Sequence, residues 1–417
     1  MHIALRAALA CGIAQAAVAA DIHVQPGQSI QAAIVSAQSG DRILVHPGTY
    51  AEAIDLLTKD LVIESVGGAA VTTIDATGLN TSVVRTDGGQ TSSPMLIGLT
   101  LTGGSGSFAP SGQFGGGGVL IVPGGGSPFT VEVVACVISN NHVGAGFGGG
   151  VFSDGPTSPG PATAQLRECT VEGNSAFRGG GTAGIIALDS CMISNNIAQA
   201  EGGGSFLSGT LRNTTFSGNT AQKGGGAWFP SVVHALPTNP YDFTLARFIH
   251  NVATQAGGGA YVGTQVDSLF DFPLHGALHQ CLFRGNSAPI GGGVYALVSS
   301  GPPPLQAVNQ FSISSCVFVG NSAGMSDGAH IARVGQNPLL TSVLSSSFDG
   351  DGVGGDVDIV QMSILRNTLS PFVDIATSQY SVTFSNVQGW PPGSGNLDAD
   401  PLWVNPAADD YRLSPGS

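Results

Sequence analysis

The sequence predicts an all-β solenoid of stacked coils, and three observations carry that prediction. Asparagine recurs at Asn141, Asn174, Asn196, Asn219, Asn251, Asn286 and Asn321, with an apolar residue three places before each: Ile138, Val171, Ile193, Phe216, Phe248, Phe283 and Phe318. A glycine run follows each of the first six: Gly148–Gly150, Gly179–Gly181, Gly202–Gly204, Gly224–Gly226, Gly257–Gly259 and Gly291–Gly293. Only 10% of the residues are charged, against roughly 25% in ordinary soluble domains, which points to polar strand faces instead of helices with charged faces. Such a repeat marks units that cannot bury an apolar face alone and do so by stacking. Apolar residues in register at every repeat also exclude a disordered glycine-rich chain.

Taken in order, the chain opens on a pattern expected of a signal peptide. Met1–Arg6 carries positive charge, Ala7–Ala17 is a short apolar run, and Ala17-Val18-Ala19 offers small residues for cleavage, placing the mature start near Ala20 or Asp21. The run falls short of the roughly 20 residues a membrane span needs, and no later segment is long and apolar enough to span. A secreted or cell-surface protein is therefore expected. Asp21–Val24 reads as a strand. Over Gly27–Ala37, Ile30, Ala33, Ile34 and Ala37 recur at helical spacing, with Ser29 as N-cap and Gly40 beyond the end. A solenoid of parallel strands has an open end that needs covering, and this helix is the expected N-terminal cap. Arg42–His46 reads as a strand, Pro47–Tyr50 as a turn, and Leu61–Ser65 and Val71–Ile74 as strands.

From Pro94 to about Gly350 the repeat runs, with successive asparagines 22 to 35 residues apart. The shortest spacings, Asn174 to Asn196 to Asn219, approximate bare coils. The longer coils carry insertions after the glycine run, over Phe152–Gln165, Phe229–Leu245, Val262–His279 and Ala296–Gln310. Insertions at one phase of a repeat project from one side of a solenoid, which is often its binding face. In Cys281–Asn286, alternation points Cys281 and Phe283 inward and Leu282 and Arg284 outward. Gly285-Asn286 forms a turn pair suited to left-handed angles. Asparagines at one turn position can build a ladder, each amide donating to the next carbonyl. Cys136, Cys169, Cys191, Cys281 and Cys316 stand five residues before a repeat asparagine, with Thr214 and Ala246 at the intervening places. Small residues at one position read as an inward stack of free thiols, since in-register strands about 4.8 Å apart are slightly wide for a relaxed disulfide.

These residues resemble a known family. Phe216–Asn219, Phe248–Asn251, Phe283–Asn286 and Phe318–Asn321, with Gly225-Gly226-Ala227, Gly258-Gly259-Ala260 and Gly292-Gly293-Val294, resemble the repeats of polymorphic outer membrane proteins. Those belong to the wider right-handed parallel β-helix, pectin-lyase-like superfamily. The opening coils, from Ile30 through Pro47–Tyr50 to Gly98–Gly104, and the closing Asn396–Trp403 and Asp410–Ser417 resemble bacterial secreted β-helix proteins. The resemblance implies a single-stranded right-handed parallel β-helix solenoid with an N-terminal helical cap. The expected divisions are 1–20 signal peptide, 21–80 cap and first coils, 81–395 repeats and 396–417 terminal coil. In such relatives more chain follows the Ser-Pro-Gly-Ser stretch, so a truncated product or a missing anchoring module is also expected. No outer-membrane barrel pattern is present, which departs from self-anchoring autotransporters.

For function, a net charge of −14 with 13 scattered basic residues excludes a phosphate-neutralising stripe and hence nucleic-acid binding. The fold named by the resemblance hosts lyases, hydrolases, epimerases and adhesins, so chemistry must come from a site. Asp349, Asp351, Asp356 and Asp358, spaced by glycines, could hold Ca²⁺, although they also read as a worn repeat. Arg178, Lys223, Arg247 and Arg284 lie in or beside repeat turns as candidate lyase bases. The carboxylates a hydrolase would pair are Asp154, Glu168, Glu172, Asp189, Glu201, Asp242, Asp267 and Asp271, the last two within one insertion. Trp228, Phe229, Tyr241, Phe243, Tyr261, Phe270, Phe272 and Tyr295 are candidates for sugar stacking or for a core beneath the insertions. Gly144–Gly149 fits a dinucleotide glycine pattern but lies in a repeat turn without a βαβ unit. His142, His250 and His330 sit at or near turns. The sequence assigns no catalytic residue, metal ligand or cofactor. The expected role is structural or adhesive, contacting a glycan or surface protein through the inserted loops. The alternative is a polysaccharide lyase, hydrolase or epimerase whose acidic and basic residues converge from adjacent coils.

Overall fold

The computed structural model describes residues 19–323 apart from 87, 89, 91–92, 123–129, 155–163, 207–208, 231–241, 264–274 and 298–308. Strand residues 230, 242, 275–276, 297 and 309–311, and ten strands from Ile331–Val334 to Asp410–Leu413, are described by backbone alone. The expected signal peptide and the Asp349–Asp358 side chains lie outside the described residues.

The chain is a parallel β-helix. Each coil contributes one strand to each of three long sheets, of 14, 13 and 11 strands, and from Ser175 onward to a fourth of six strands. Within each of these sheets every strand pairs in parallel with its equivalents one coil earlier and one coil later. One bare coil shows the path: Ile186–Asp189 in the first sheet, Met192–Ser194 in the second, Ile197–Ala198 in the fourth and Ser205–Phe206 in the third. Right-handed winding is the sense that twisted parallel strands impose on such connections.

Three corners join these strands, and each needs a left-handed residue. Between the first and second sheets stand Ala135, Glu168, Ser190, Asn213, Leu245, Gln280 and Ser315, with φ of 47° to 60°. The residue after each is the Cys/Thr/Ala position, buried in every coil. Its side chain satisfies the corner: Cys169 Sγ donates to the Arg167 carbonyl at 3.3 Å and Thr214 Oγ1 to the Arg212 carbonyl at 3.0 Å. The five described thiols are free and buried, as a stacked inward column predicts. Burial pushes the Cys136 thiol up to about 11 from 9.0. A raised thiol favours the folded state below its unfolded value, and this advantage is lost as pH climbs. Stability should therefore fall between about pH 9 and 11, and Cys136→Ser, which keeps a donor but cannot ionise there, should flatten that limb in urea titrations. Native protein at pH 8 should also resist iodoacetamide until it unfolds.

At the second corner the left-handed residue is Asn140, Gly173, Asn195, Gly218, His250, Gly285 or Gly320, and the ladder asparagine follows it. Asn286 itself is not left-handed, contrary to the turn-pair expectation, because Gly285 supplies the bend at φ 60° and frees Asn286 to face inward. Each ladder amide is fully used. Asn196 Oδ1 accepts from Asn174 N and Nδ2 at 3.0 and 3.1 Å; Asn196 Nδ2 donates to Asn219 Oδ1 at 3.0 Å and to the Val171 carbonyl at 2.9 Å. The pattern continues without a break from Asn141 to Asn321. Beneath it Phe216, Phe248, Phe283 and Phe318 stack with centroids 4.7–4.9 Å apart and planes within 4°. Ala227 and Ala260 occupy inward places of the third sheet in the coils of Phe216 and Phe248, so a large ring is met by a small partner, as interior packing density requires.

The third corner is the glycine run. Its first glycine is left-handed in every coil, from Gly116 to Gly291. The second and third lie so close to the next coil that a β-carbon would strike backbone: at Gly204 it would meet the Gly226 carbonyl oxygen at 2.5 Å and Asn219 Cγ at 3.1 Å. Glycine run and asparagine ladder are thus two sides of one contact.

The N-terminal cap forms as expected, as helix α1 over Ile30–Ser36, burying Ile30, Ala33 and Ile34. Ser29 Oγ accepts from Ala32 N at 3.1 Å. The coil below clamps both ends. Glu52 accepts from Ile30 N at 2.7 Å, Gln31 N at 3.1 Å and Ser29 Oγ at 2.8 Å, and Lys59 Nζ donates to the Ile34, Val35 and Ala37 carbonyls at 2.6–2.8 Å. A carboxylate at the positive end and an ammonium at the negative end both complement the helix dipole. Glu52→Ala should cost about 1–2 kcal/mol and raise proteolysis between residues 25 and 40 before the repeats are touched. Pro47–Tyr50 is not a plain turn: Gly48–Tyr50 is the first strand of the second sheet, paired with Thr72–Ile74, because Tyr50 must point inward (3% exposed) to cap the Val24 and His46 carbonyls with its hydroxyl.

Candidate functional site

The face with concentrated chemistry is the outer side of the third sheet. Counting from the first glycine of each run, the fourth residue onward points away from the core: Leu120, Phe152, Ala183, Phe206, Trp228, Tyr261 and Tyr295, which are register partners coil by coil. Their neighbours Val119, Ala227, Phe229 and Val262 point inward by strand alternation and join the main core. Rings in the outer column pack on one another. Phe206 and Trp228 are stacked at 4.7 Å and 7°, Trp228 and Tyr261 at 6.2 Å, and Tyr261 and Tyr295 at 4.9 Å. The column is buried, Trp228 and Tyr261 being 3% exposed and Tyr295 8%. It forms an apolar cluster separate from the core of the solenoid.

A second column runs beside it, made by the residue before each glycine run: Phe147, Arg178, Glu201, Lys223, Ala256 and Ile290. Parallel bridges join Phe147 to Arg178, Glu201 to Lys223 and Ala256 to Ile290. Arg178 Nε donates to Glu201 Oε2 at 2.7 Å, and the Arg178 guanidinium lies 5.6 Å from the Phe177 ring and 5.7 Å from Phe206. Lys223 Nζ lies 6.0 Å from the Tyr261 ring. Burial, then the neighbouring Tyr295 and the Glu201 charge, push the Tyr261 phenol well above its ordinary value, and burial raises Tyr295. Both phenols are therefore protonated at physiological pH, able to donate a hydrogen bond but not to act as bases.

The sequence candidates divide among faces. Arg178 and Lys223 meet Glu201 at this site. Arg247 and Arg284 lie on the second sheet in different columns, Arg247 level with Leu282 and Arg284 with Ile249. Among the carboxylates, Glu168 occupies a left-handed corner. Glu172 lies on the second sheet, in register with Ser139 and Ser194. Asp189 lies on the first sheet between Arg167 and Arg212. Asp154 accepts from Ser111 Oγ at 2.6 Å and is raised by burial. Asp242 is described by backbone alone, and Asp267 and Asp271 lie outside the described residues. Among the aromatics, Trp228, Tyr261 and Tyr295 reach the outer column. Phe229 and Phe243 face the core, 4.4 Å apart; Tyr241, Phe270 and Phe272 lie outside the described residues. His142 bonds Ser175 through Nδ1, His250 overlies Gly285, and His330 lies outside. Gly144–Gly149 forms the repeat corner, with Gly148 left-handed. The sequence reading missed Phe206 and the Arg178–Glu201 pairing; counting fixed offsets from the first glycine of each run finds both. Among the described residues no group of three or more His, Cys, Asp and Glu is placed to hold a metal ion, and no helix is long and apolar enough to cross a membrane.

No protein-family model and no curated protein matches the sequence. Among solved structures, the chain is similar to a pectin methylesterase mutant in complex with a hexasaccharide, at 12% identity over 77% of this chain and 84% of that one, with a TM-score of 0.24. The class of protein, a parallel β-helix solenoid, stands on the sheets described above.

Proposed function

We propose that this protein is an exported scaffold of the cell surface or secretome that holds segments out from one edge of a rigid β-helix to contact a glycan or a surface protein. One observation carries the reading. The insertions begin at the same phase of the coil, after third-sheet strands ending at Ser153, Pro230, Gly263 and Leu297, the strands that carry the outer aromatic column. A fixed exit point on a stiff support suits presentation better than turnover. The test compares the full chain with a variant in which 231–241 and 264–274 are cut to bare-coil length, on a glycan array and in polysaccharide co-sedimentation. Binding by the full chain that is lost in the variant, with an unchanged β-sheet circular dichroism spectrum, supports the reading; equal binding by both sinks it.

A second reading, a carbohydrate-active enzyme, is favoured by the convergence of Arg178, Glu201, Lys223 and Tyr261 from four coils. Release of reducing ends or unsaturated products from a polysaccharide panel, abolished by Glu201→Gln, would establish it in place of the first.

A further inference from the structure

The first two coils hold a pair of imidazoles that neither reading uses. His23 Nδ1 and His46 Nε2 are 2.9 Å apart, with ring centroids 5.2 Å apart and planes inclined by 37°. Both belong to the outer face at the N-terminal edge of the first sheet. Asp21–Val24 and Arg42–Val45 are in register there, and His46 N donates to the Val24 carbonyl at 2.9 Å. The pair is thus positioned by backbone pairing and not by two wandering side chains.

We infer that His23 and His46 form a two-histidine chelate for a late first-row divalent transition-metal ion, Cu(II) foremost and Ni(II) next. Imidazole nitrogen is a preferred ligand of both, and copper heads the affinity order of the first-row divalent ions. Two metal–nitrogen bonds of about 2.0–2.1 Å hold their nitrogens ~2.9 Å apart at a right angle and ~3.3 Å apart at a tetrahedral angle, so two rings already hydrogen-bonded at 2.9 Å stand within a small turn of sharing one ion. In the free protein one ring donates to the other across this gap. On binding, the donor ring moves its proton to its other nitrogen, and a rotation of each ring about χ2 brings both lone pairs to one point. The surroundings admit a cation: Asp21 and Glu64 flank Arg42 on the same face, at 2.9 and 3.4 Å, so the neighbouring group holds two carboxylates for one guanidinium. The face is open, His23 being exposed and His46 half-buried, which leaves the remaining coordination positions to water or to a further ligand. Bound metal would also tie the edge strand to the second coil beneath the helical cap.

The experiment is calorimetric titration of the full chain with CuCl₂ at pH 7.4 in a non-coordinating buffer, with electron paramagnetic resonance of the one-to-one complex. The chain has nine histidines, so His142→Ala is the control for scattered binding. The expected result is a single saturable event with hyperfine structure from two nitrogens. His23→Ala and His46→Ala should each weaken it by at least about tenfold, since even an outer-shell partner of a metal ligand is worth roughly 10–100-fold in affinity. Copper should also raise the melting temperature of the parent and not of either variant. The inference is overturned if no one-to-one event is seen, if either variant binds as the parent does, or if His142→Ala weakens binding equally. Should an alanine variant fail to fold, His23→Gln and His46→Gln keep the test intact.

Discussion

Replacing Asn219 with Ala is expected to lower the free energy of unfolding by about 3–5 kcal/mol, the cost of leaving two or three buried polar groups without partners at ~1–3 kcal/mol each. Asn219 Oδ1 accepts from Asn196 N and Nδ2 at 2.9 and 3.0 Å, and its Nδ2 donates to the Ile193 carbonyl and to Asn251 Oδ1, both at 2.9 Å. Removal strands both Asn196 donors where no water reaches, Asn196 and Asn219 being 0% exposed. Asn219→Asp should be worse near neutral pH, because a carboxylate cannot donate to the Ile193 carbonyl and would be a buried charge. Asn321→Ala, at 6% exposure toward the end of the ladder, should cost less. Urea unfolding of the three variants, followed by circular dichroism, tests the order. Equal midpoints for Asn219→Ala and the parent would show that the ladder contributes nothing net.

The second large effect is expected from Gly225→Ala. A β-carbon there would lie 2.4 Å from the Val252 carbonyl oxygen, 2.5 Å from its carbon and 2.6 Å from the Gly258 carbonyl oxygen. All three are backbone atoms of the next coil, so no side chain can rotate aside, and the coils would have to part. The variant should fail to accumulate as folded protein, or should melt far below the parent. Gly144→Ala is the matched control: its β-carbon meets nothing within 4 Å, so it should match the parent or gain slightly from a less flexible unfolded chain. Comparable yields and melting curves for both variants would refute the packing account of the glycine run.

Much of this architecture was legible because the coil repeats its chemistry. The asparagine spacing marked the second corner, the glycine runs the third, and Cys281-Leu282-Phe283-Arg284 alternated in and out as strand periodicity requires. The helix was legible from Ser29 and the spacing of Ile30, Ala33 and Ile34. The clamp from Glu52 and Lys59 was not, since it joins residues 20 or more places apart that only winding brings together. The outer column was hidden for a similar reason. Trp228 and Phe229 are adjacent and equally apolar, yet one faces out and the other in, and only the phase counted from Gly224 separates them. Arg178 and Arg247 looked equivalent as basic residues near turns; Arg178 stands in an isolated bridge just before a glycine run, whereas Arg247 opens a second-sheet strand after a first-corner bend. Pro47–Tyr50 misled because its turn-forming residues open a short strand whose inward Tyr50 is needed under the cap.

Every amide in the ladder points the same way, donating forward and accepting from behind. Along the ladder a coil therefore meets both neighbours through the same set of bonds. Removing 197–219 would bring Asn196 against Asn251 with the same bonds on offer, so the rod can be shortened or lengthened by complete turns while its ends stay as they are. Length in such a molecule is an adjustable quantity, set by the number of complete turns.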